Sequence, residues 1–396
     1  MAELYWDPFD IEIDTDPYEV WRRMRDEAPV YRNDRYDFYA LTRFADVEAA
    51  HHDTATFSSA HGTVLELMNS GSGVSTMMIF LDPPEHTRLR SLVSRAFTPR
   101  RIGQLEERVR ELCGVFLDRQ EGAERFDYVQ DFGARLPAMV IATLLGVPIE
   151  DQDEVRILID LVFHIEPGVG MINDTSFRAQ LALHAYLTEA LREREAHPRD
   201  DMLTDLTTAE LTDELGQTRR LSITEAVDFA NLLISAGTET VARLLGWTAV
   251  VLAAHPDQRA DLAERPDLIP GAVEELLRFE APSPVQGRWT TRDVTMHDQV
   301  IPEGSKVLLL TGAAGRDERK YAAADRFDIH RRLDHHVAFG YGIHFCLGAA
   351  LARMEGRIAL EETLKRHPVW EVDHAGSRRL HTSTVRGWIN VPIVVG

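Results

Sequence analysis

The segment from Ser222 to His255 constrains the fold of this chain more than any other. Ser222-Ile-Thr-Glu225 forms a capping box, the side-chain pair that closes a helix N-terminus, and Pro256 ends the run. The pattern predicts one helix of about 33 residues, which is roughly 50 Å at 1.5 Å per residue. Its middle, NLLISAGTETVARLLGW, is apolar on nearly every face, so we expect this helix to cross the protein interior.

The centre of this predicted helix, Ala236-Gly237-Thr238-Glu239-Thr240, contains residues that disfavour a helix. Glycine costs about 1 kcal/mol relative to alanine, β-branched threonines add to that cost, and a glutamate in apolar surroundings is costlier still unless it is paired. Residues that break a local rule in an otherwise consistent element often mark a functional site. We interpret the segment as a local opening of the helix that holds a small ligand and delivers protons through Glu239 and Thr240. The alternative is a solvent-facing notch.

The stretch FGYGIHFCLG, residues 339–348, contains Cys346, one of two cysteines in the 396 residues. The other, Cys113, lies on the apolar face of a helix predicted over residues 105–120 and is interpreted as a buried core thiol. Two cysteines this far apart form neither a disulfide framework nor a CxxC motif, which indicates a reducing cytoplasm. Cys346, between an aromatic residue and glycines, is in a more constrained setting than a core thiol needs.

Zinc is a poor match for this stretch, although His335, His336 and His344 lie near Cys346. The spacing His344-x-Cys346 is shorter than the usual gap between zinc ligands, and no second cysteine pair follows. A haem iron bound by a thiolate explains more. Glycines let the main chain approach a porphyrin closely, and the residues after Cys346 predict a helix whose positive N-terminus would stabilise a thiolate. These glycines are Gly340, Gly342 and Gly348.

FGYGIHFCLG matches the cysteine-loop motif FGxGxHxCxG of the cytochrome P-450 family at every specified position, and the chain resembles that family. Three further motifs follow in the family's order over most of the chain. AGTET at 236–240 resembles the oxygen-binding groove of the family's central helix. Glu275-Leu-Leu-Arg278 resembles its ExxR motif, whose i, i+3 spacing puts both charges on one helical face. DPPEHTRLR at 82–90 resembles the helix that contacts the haem propionates.

The resemblance implies a haem b cofactor and a role for each matching residue. Arg326 in ADRFD matches the third member of the structural ExxR cluster. The chain departs from the family's pattern at Gly315, where asparagine is common, and at Glu239, where aspartate is commoner. The implied site consists of the metal ligand Cys346, the catalytic pair Glu239 and Thr240, the groove residues Ala236 and Gly237, the propionate partners His86, Arg90, Arg288 and His344, and the loop residues Phe339, Gly340 and Gly348.

The resemblance also places a substrate pocket in the distal cavity, with mostly apolar walls in which methionine suits adaptable packing. Each wall residue is equally well explained as ordinary core. The pocket fits a hydrophobic small molecule such as a terpenoid, fatty acid, steroid or polyketide, and the sequence does not choose among them. The implied wall residues are Met77, Met78, Ile79, Val162, Phe163, Leu232, Leu233, Val285, Gln286, Thr384 and Val385.

Helical periodicity dominates the chain, and the predicted fold is mainly α with a small β component, a cytochrome P-450 fold forming one large domain over residues 1–396. A β-containing part covers about residues 1–60 and includes a hairpin that pairs Val30–Tyr31 with Phe38–Leu41. A second β-like region lies between residues 285 and 310. Helices are predicted at about 151–165 and 175–197. The loop EPGVGMIND between them suits a mobile lid or a plain connection.

Charge and hydropathy exclude some partners. A formal net charge of −21 repels nucleic acid and anionic lipid. The longest apolar run, Leu244–Ala254, is too short to cross a bilayer, and the acidic N-terminus does not resemble a signal peptide. We therefore expect a cytoplasmic protein without a membrane span. A basic docking patch is one interpretation of Arg95, Arg100, Arg101 and Arg353, and ordinary solvated arginines are the other.

The resemblance implies the reaction. A bacterial-type, monomeric member inserts one oxygen atom from O2 into its substrate by hydroxylation or epoxidation, with electrons from a ferredoxin and a ferredoxin reductase. Two alternatives remain: a peroxygenase driven by hydrogen peroxide, and a haem protein without catalytic activity. Glu239 and Thr240 favour the monooxygenase over both, because the two alternatives have no need of an acid–alcohol pair that handles protons.

Overall fold

The computed structural model describes residues 3–70, 77–94, 97–162, 164, 166, 173–212 and 218–396. Phe163, Arg95 and residues 167–172 of the predicted lid loop lie outside the described residues. The described α-helices are α1 (Ile11–Thr15), α2 (Tyr18–Glu27), α3 (Phe44–His52), α4 (Leu65–Ser70), α5 (Glu85–Val93), α6 (Pro99–Gln104), α7 (Glu106–Asp118), α8 (Arg135–Leu145), α9 (Gln152–Val162), α10 (Asp174–Ala196), α11 (Met202–Thr208), α12 (Ile223–Ala254), α13 (Pro256–Glu264), α14 (Ile269–Phe279), α15 (Thr311–Ala314) and α16 (Ala349–Arg366).

The strands are short and grouped into small sheets. The described strands are β1 (Val30–Asn33), β2 (Phe38–Leu41), β3 (Phe57–Ser58), β4 (Arg125–Asp127), β5 (Glu210–Thr212), β6 (Thr218–Arg220), β7 (Gln286–Thr290), β8 (Val294–Met296), β9 (Gln299–Ile301), β10 (Lys306–Leu309), β11 (Trp370–Val372), β12 (Arg378–His381), β13 (Arg386–Asn390) and β14 (Pro392–Val395).

Helix α12 crosses the interior as the sequence predicts. Its capping box is confirmed: the Ser222 hydroxyl accepts from the Glu225 N–H at 3.2 Å, and the Glu225 carboxylate accepts from the Ser222 N–H at 2.8 Å. From Val241 to Leu252 the helix is almost wholly buried. It contacts α8, α10, α16 and β13, so elements from distant parts of the chain are packed around it.

The other helix predictions are confirmed within a few residues by α7, α9 and α10. In α7 the predicted apolar face is buried, and Cys113 is fully buried within it. Helix α16 follows the cysteine loop as predicted. No helix within the described ranges is long and apolar enough to cross a membrane.

The largest sheet has five strands in the order β1-β2-β10-β7-β3. The predicted hairpin is confirmed, with Val30 opposite Leu41 and Tyr31 opposite Ala40 in an antiparallel pair. Strand β10 pairs parallel to β2 and antiparallel to β7. This sheet fixes β7, the strand that carries Arg288, beside the segment that follows α3.

The ExxR motif forms a buried ion pair on α14. Arg278 donates to both carboxylate oxygens of Glu275, at 2.7 Å each, and neither side chain is exposed. The third member of the cluster is Arg331, whose Nε donates to Glu275 at 3.1 Å. The prediction of Arg326 for this position is wrong. Its side chain is exposed, and only its carbonyl oxygen joins the cluster by accepting from Arg278 and Arg331.

The glycine at position 315 has a steric explanation. A Cβ atom there would lie 2.4 Å from the carbonyl oxygen of Arg278, a contact that main-chain atoms cannot relieve without moving. The Gly315 carbonyl in turn accepts from Arg278 Nη1 at 2.6 Å. The end of α15 at Gly315 therefore packs too closely on the C-terminal turn of the ExxR helix for the asparagine that the family commonly has.

Candidate active site

The cysteine loop, residues 339–348, is a tight turn that leads into α16. Gly340 and Gly342 both have φ of 69°, in the left-handed region that favours glycine. A Cβ atom on Gly342 would also lie 2.8 Å from the carbonyl oxygen of His51. The Cys346 N–H donates to the Phe339 carbonyl at 2.9 Å, which closes the loop. The loop therefore holds the Cys346 side chain, which is partly exposed, just ahead of the helix.

The surroundings of Cys346 favour a thiolate more than those of Cys113 do. Burial raises the pKa of the Cys346 thiol, while a hydrogen bond from the Gly348 N–H and the charges of Arg90 and Arg353 lower it. Burial also raises the pKa of Cys113, and the nearby carboxylates, Glu355 among them, raise it further. Because a metal cation stabilises a coordinated thiolate, Cys346 is the cysteine that suits a metal.

Within the described residues, no three His, Cys, Asp or Glu side chains lie close enough together to hold a metal ion. A metal bound to Cys346 therefore needs donors that a cofactor brings with it.

Buried basic side chains gather beside the cysteine loop. Arg288 is buried; its Nη1 donates to the Gly287 carbonyl at 2.7 Å, and its Nε has no hydrogen-bond partner among the described residues. Burial lowers the pKa of Arg288 to about 10, and the charge of Asp82 opposes the shift. Asp82 itself already accepts from Ser58 and Ser59. A buried arginine with these few partners is suited to an anionic ligand.

Two histidines lie in the same place. His86, on α5, is buried, and neither ring nitrogen has a partner in the part of the chain that is described. Its ring centre lies 4.1 Å from that of His344, whose Nε2 is 3.4 Å from Ser59 Oγ. Burial and the charge of Arg90 lower the pKa of His86 to about 4. Burial and the charge of Arg288 lower that of His344 to about 2.

A third histidine, His51 on α3, was not predicted. It is buried, its Nδ1 lies 3.5 Å from Arg288 Nη2, and its Nε2 has no partner among the described residues. Burial, then the charges of Arg288 and His52, lower its pKa to about 3. The sequence offers no signal that separates it from His52, which is exposed. We call His51, His86, Arg288 and His344 the cationic cradle after Arg288, its charged member; these pKa values leave the three imidazoles neutral near pH 7.

The cationic cradle and the cysteine loop together fit one kind of group. Such a group carries a metal for the sulfur of Cys346 and negative charge at its edge for the unpartnered nitrogen atoms of His51, His86 and Arg288. A haem, with an iron at its centre and two carboxylates on one edge, has both features.

Comparison with known proteins agrees with this chemistry. The family model described as Cytochrome P-450 matches residues 31–269 and 260–384. The chain belongs to the cytochrome P-450 family. It is 40% identical to a putative cytochrome P-450 123 of Mycobacterium bovis over 99% of this chain and 97% of that protein. It is 37% identical to a vitamin D(3) 25-hydroxylase of Pseudonocardia autotrophica, over 96% of this chain and 94% of that one.

A solved structure confirms the predicted fold. The cytochrome P-450 CYP109Q5 of Chondromyces apiculatus superposes with a TM-score of 0.89 at 33% identity, covering 98% of each chain. The protein is thus a cytochrome P-450 enzyme, a haem-thiolate monooxygenase that uses O2 and a small-molecule substrate.

The centre of α12 has one open face in this cytochrome P-450. Ala236 is exposed although the helix around it is largely buried, and Glu239 and Thr240 on the following turn are partly exposed. The Thr240 hydroxyl donates to the Ala236 carbonyl at 2.8 Å, and the Thr238 hydroxyl donates to the Ile234 carbonyl at 2.7 Å. The open face is therefore lined by an alcohol, a carboxylate and a small side chain.

The prediction that the helix opens locally is wrong, because α12 is a continuous α-helix from Ile223 to Ala254. Packing with its neighbours outweighs the low helix propensity of this segment. Gly237 has a packing role: a Cβ atom there would lie 2.6 Å from Cδ1 of Ile141 on α8. The glycine lets α8 approach α12 closely.

Glu239 is paired, as a carboxylate in such a helix must be. Its Oε1 accepts from Arg243 Nε at 2.9 Å and from Arg243 Nη2 at 2.6 Å. Arg243 lies one turn further along α12, and its Nη1 donates to the carbonyl of Trp388 on β13. No motif of the sequence singled out Arg243, although the i, i+4 spacing from Glu239 is a signal that could have found it.

Arg90 has a different position from the other predicted propionate partners. It lies one turn after His86 on α5, and its Nη2 donates to the Phe345 carbonyl at 2.5 Å. Burial lowers its pKa, and the charge of Cys346 opposes that shift. Arg90 therefore contacts the main chain beside the sulfur.

Two of the arginines in the predicted docking patch have their charges paired with carboxylates. Arg101 is paired with Asp205, and Arg353 donates to both carboxylate oxygens of Glu274, at 2.6 and 2.9 Å. Arg100 is exposed.

The predicted pocket residues differ in exposure. Met78, Leu233 and Val285 are buried, and Ile79 is exposed. Val285 belongs to a core cluster with Trp6 and Trp21, and its carbonyl accepts from the Thr384 hydroxyl at 2.7 Å. The partly exposed ones are Met77, Val162, Leu232, Gln286, Thr384 and Val385.

Proposed function

We propose that this cytochrome P-450 binds haem b through Cys346 and the cationic cradle and oxidises a hydrophobic small molecule with electrons from a ferredoxin and a ferredoxin reductase. The observation that carries the proposal is the set of buried, unpartnered nitrogen atoms of His51, His86 and Arg288 beside the cysteine loop. Buried donors of this kind are costly unless a ligand satisfies them.

Each residue has a distinct task in this proposal. Cys346 supplies the sulfur ligand, and the Gly348 N–H tempers the negative charge of that sulfur. The cationic cradle binds the two propionates with charge-assisted hydrogen bonds. When bound, the haem supplies the activation of O2, and a thiolate ligand favours cleavage of the O–O bond.

Replacing His51 with phenylalanine is expected to weaken haem retention. The phenyl ring keeps the approximate shape of the buried imidazole but removes its hydrogen-bonding nitrogens. A hydrogen bond to a charged group contributes about 1.5–3 kcal/mol, so haem transfer to an excess of apomyoglobin should be about ten- to a hundredfold faster. The measurement is the rate of that transfer, followed by absorbance.

The matched control is His52→Phe, because His52 is the next residue and its exposed ring packs on Tyr341 with the ring centres 4.7 Å apart. That variant should release haem at the wild-type rate. Equal rates for His51→Phe and the wild-type protein would remove His51 from the cationic cradle.

Thr240 and Glu239 organise proton delivery in this proposal. The Thr240 hydroxyl bonds to its own helix and needs only a rotation about the Cβ–Oγ1 bond to offer its proton elsewhere. The Glu239 carboxylate, one residue before it, has a second oxygen that Arg243 does not engage. A positioned group of this kind typically contributes 10²–10⁴-fold to a proton transfer, as an order of magnitude.

Replacing Thr240 with alanine is therefore expected to leave electron uptake near the wild-type rate while product falls and hydrogen peroxide rises. The measurement is product and peroxide formed per NAD(P)H consumed, with ferredoxin and reductase present. Thr238→Ala is the control, since the Thr238 hydroxyl is buried and also bonds to its own helix. Unchanged coupling of electrons to product in Thr240→Ala would contradict the role of Thr240.

The proposed substrate is a hydrophobic small molecule. Apolar residues dominate the predicted wall, and Ile79, Leu232 and Val162 are exposed or partly exposed without a ligand. The relative named as a vitamin D(3) 25-hydroxylase supports this class, because its name gives a large apolar alcohol as the molecule oxidised.

A further inference from the structure

Arg243 is a buried arginine in α12 whose guanidinium is held from two sides. Its Nε and Nη2 donate to Glu239 Oε1, and its Nη1 donates to the carbonyl of Trp388. Its side chain is 9% exposed and that of Glu239 is 12% exposed. All three nitrogens are thus satisfied by one carboxylate oxygen and one main-chain carbonyl, and the arginine links α12 to β13.

Strand β13 has a glycine, Gly387, where the side chain of Arg243 packs against it. A Cβ atom on Gly387 would lie 2.8 Å from both Cβ and Cδ of Arg243, and 3.0 Å from its Cγ. The backbone of Gly387 is not in the left-handed region. The glycine is therefore required for space, and the stem of Arg243 occupies that space.

The identity of the cation also matters. A guanidinium has its donors in a rigid fork, so it can serve Glu239 and the Trp388 carbonyl together. A lysine ammonium is a single point of charge and cannot reproduce both directions. Without the arginine, a largely buried carboxylate would lose its charged partner and its fixed orientation.

We propose that Arg243 is the positioning residue of the proton-delivery pair. Anchored on the Trp388 carbonyl and seated over Gly387, it fixes Glu239 through Oε1 beside Thr240 and leaves Oε2 outside the ion pair. The inference rests on the proposed role of Glu239 and Thr240, and it adds that β13 controls the orientation of Glu239.

Arg243→Lys is the first variant that tests this inference. It keeps the charge and loses the fork, so product per electron should fall by about tenfold, a part of what a positioned proton-transfer group contributes. Peroxide should rise in proportion, while the spectrum of the reduced, carbon monoxide-bound protein stays that of the wild type. Gly387→Ala displaces the stem of Arg243 without changing any charge, so it should also lower product per electron and raise peroxide.

The matched control is Arg259→Lys. Arg259 is also buried, also donates to a tryptophan carbonyl, that of Trp370 at 2.6 Å, and lies on α13 away from Glu239. Its replacement tests what the loss of a buried guanidinium does to the fold alone. Coupling of electrons to product should stay at the wild-type level in this variant.

A double-mutant cycle with Glu239→Gln separates positioning from a structural effect. If Arg243 acts through Glu239, adding Arg243→Lys to Glu239→Gln should change coupling no further. An equal drop in both backgrounds would overturn the inference. If Glu239→Gln lowers coupling and Arg243→Lys keeps wild-type coupling, the positioning role of Arg243 is overturned while the proposed role of Glu239 stands. Wild-type coupling in Glu239→Gln would overturn the proposed role of Glu239 as well.

Discussion

Replacing Glu275 with glutamine is expected to lower the free energy of unfolding by about 3–5 kcal/mol, the cost of breaking a buried ion pair from one side. Arg278 is fully buried and would keep its charge without the carboxylate that accepts two of its hydrogen bonds. Arg331 would lose the same negative charge, and the single amide oxygen of glutamine would be left to accept from Arg331, Arg278 and the Asp328 N–H. The measurement is the midpoint of urea unfolding, followed by far-ultraviolet circular dichroism of the holoprotein.

Asp261→Asn is the control for that prediction. Asp261 and Arg265 also form an arginine–carboxylate pair within one helical turn, at 2.6 Å, but the arginine is half exposed. Exposed pairs contribute little, so the unfolding midpoint should stay close to that of the wild type. Similar midpoints for Glu275→Gln and Asp261→Asn would show that the buried cluster does not hold α14 to the segment around Arg331.

Replacing Cys346 with serine is expected to reduce oxygenation of any substrate to background. A serine hydroxyl stays protonated near neutral pH and cannot supply the thiolate that favours O–O cleavage. The measurement is product formed with ferredoxin and reductase, alongside the haem content of the purified protein. Because the cationic cradle is unchanged in Cys346→Ser, some haem binding should persist while product is lost.

Cys113→Ser is the matched control for Cys346→Ser. Cys113 is fully buried in α7 and packs in the main core. Its replacement should lower stability, because a hydroxyl replaces an apolar thiol, and should leave turnover per haem unchanged. Full turnover in Cys346→Ser would place the metal ligand elsewhere.

Features that depend on neighbouring residues could be predicted from the sequence. The capping box at Ser222 requires only a four-residue pattern, and the hairpin requires two alternating runs around a turn. The cysteine loop could be predicted for the same reason, since its glycines, Cys346 and the following helix are contiguous. In each case the physical cause lies within a few residues.

Features that depend on the tertiary structure could not be predicted. His51 and Arg288 are 237 residues apart in sequence, and only the five-stranded sheet brings them together. The choice between Arg326 and Arg331 depends on how the chain turns after α14, which periodicity does not describe. Gly315 departs from the family pattern because of one close contact with the Arg278 carbonyl, and nothing near it in sequence reveals that contact.

The prediction of a local opening in α12 was wrong for a related reason, since it also left out tertiary contacts. Propensity disfavours a helix at Gly237, Thr238 and Thr240, but Ile141 packs where a Cβ atom of residue 237 would be, and both threonine hydroxyls bond to the helix itself. The tertiary contacts keep the helix intact. The unusual composition coincides with the open face of α12 at Ala236, Glu239 and Thr240.

The most direct test of the central claim is the absorbance spectrum of the dithionite-reduced protein with and without carbon monoxide. Cys346 as the thiolate ligand of a haem predicts a strongly red-shifted Soret band on adding carbon monoxide, lost in Cys346→Ser and kept in Cys113→Ser. A Soret band at the shorter wavelength typical of histidine-ligated haem, in freshly purified wild-type protein, would contradict thiolate ligation and the site built on it.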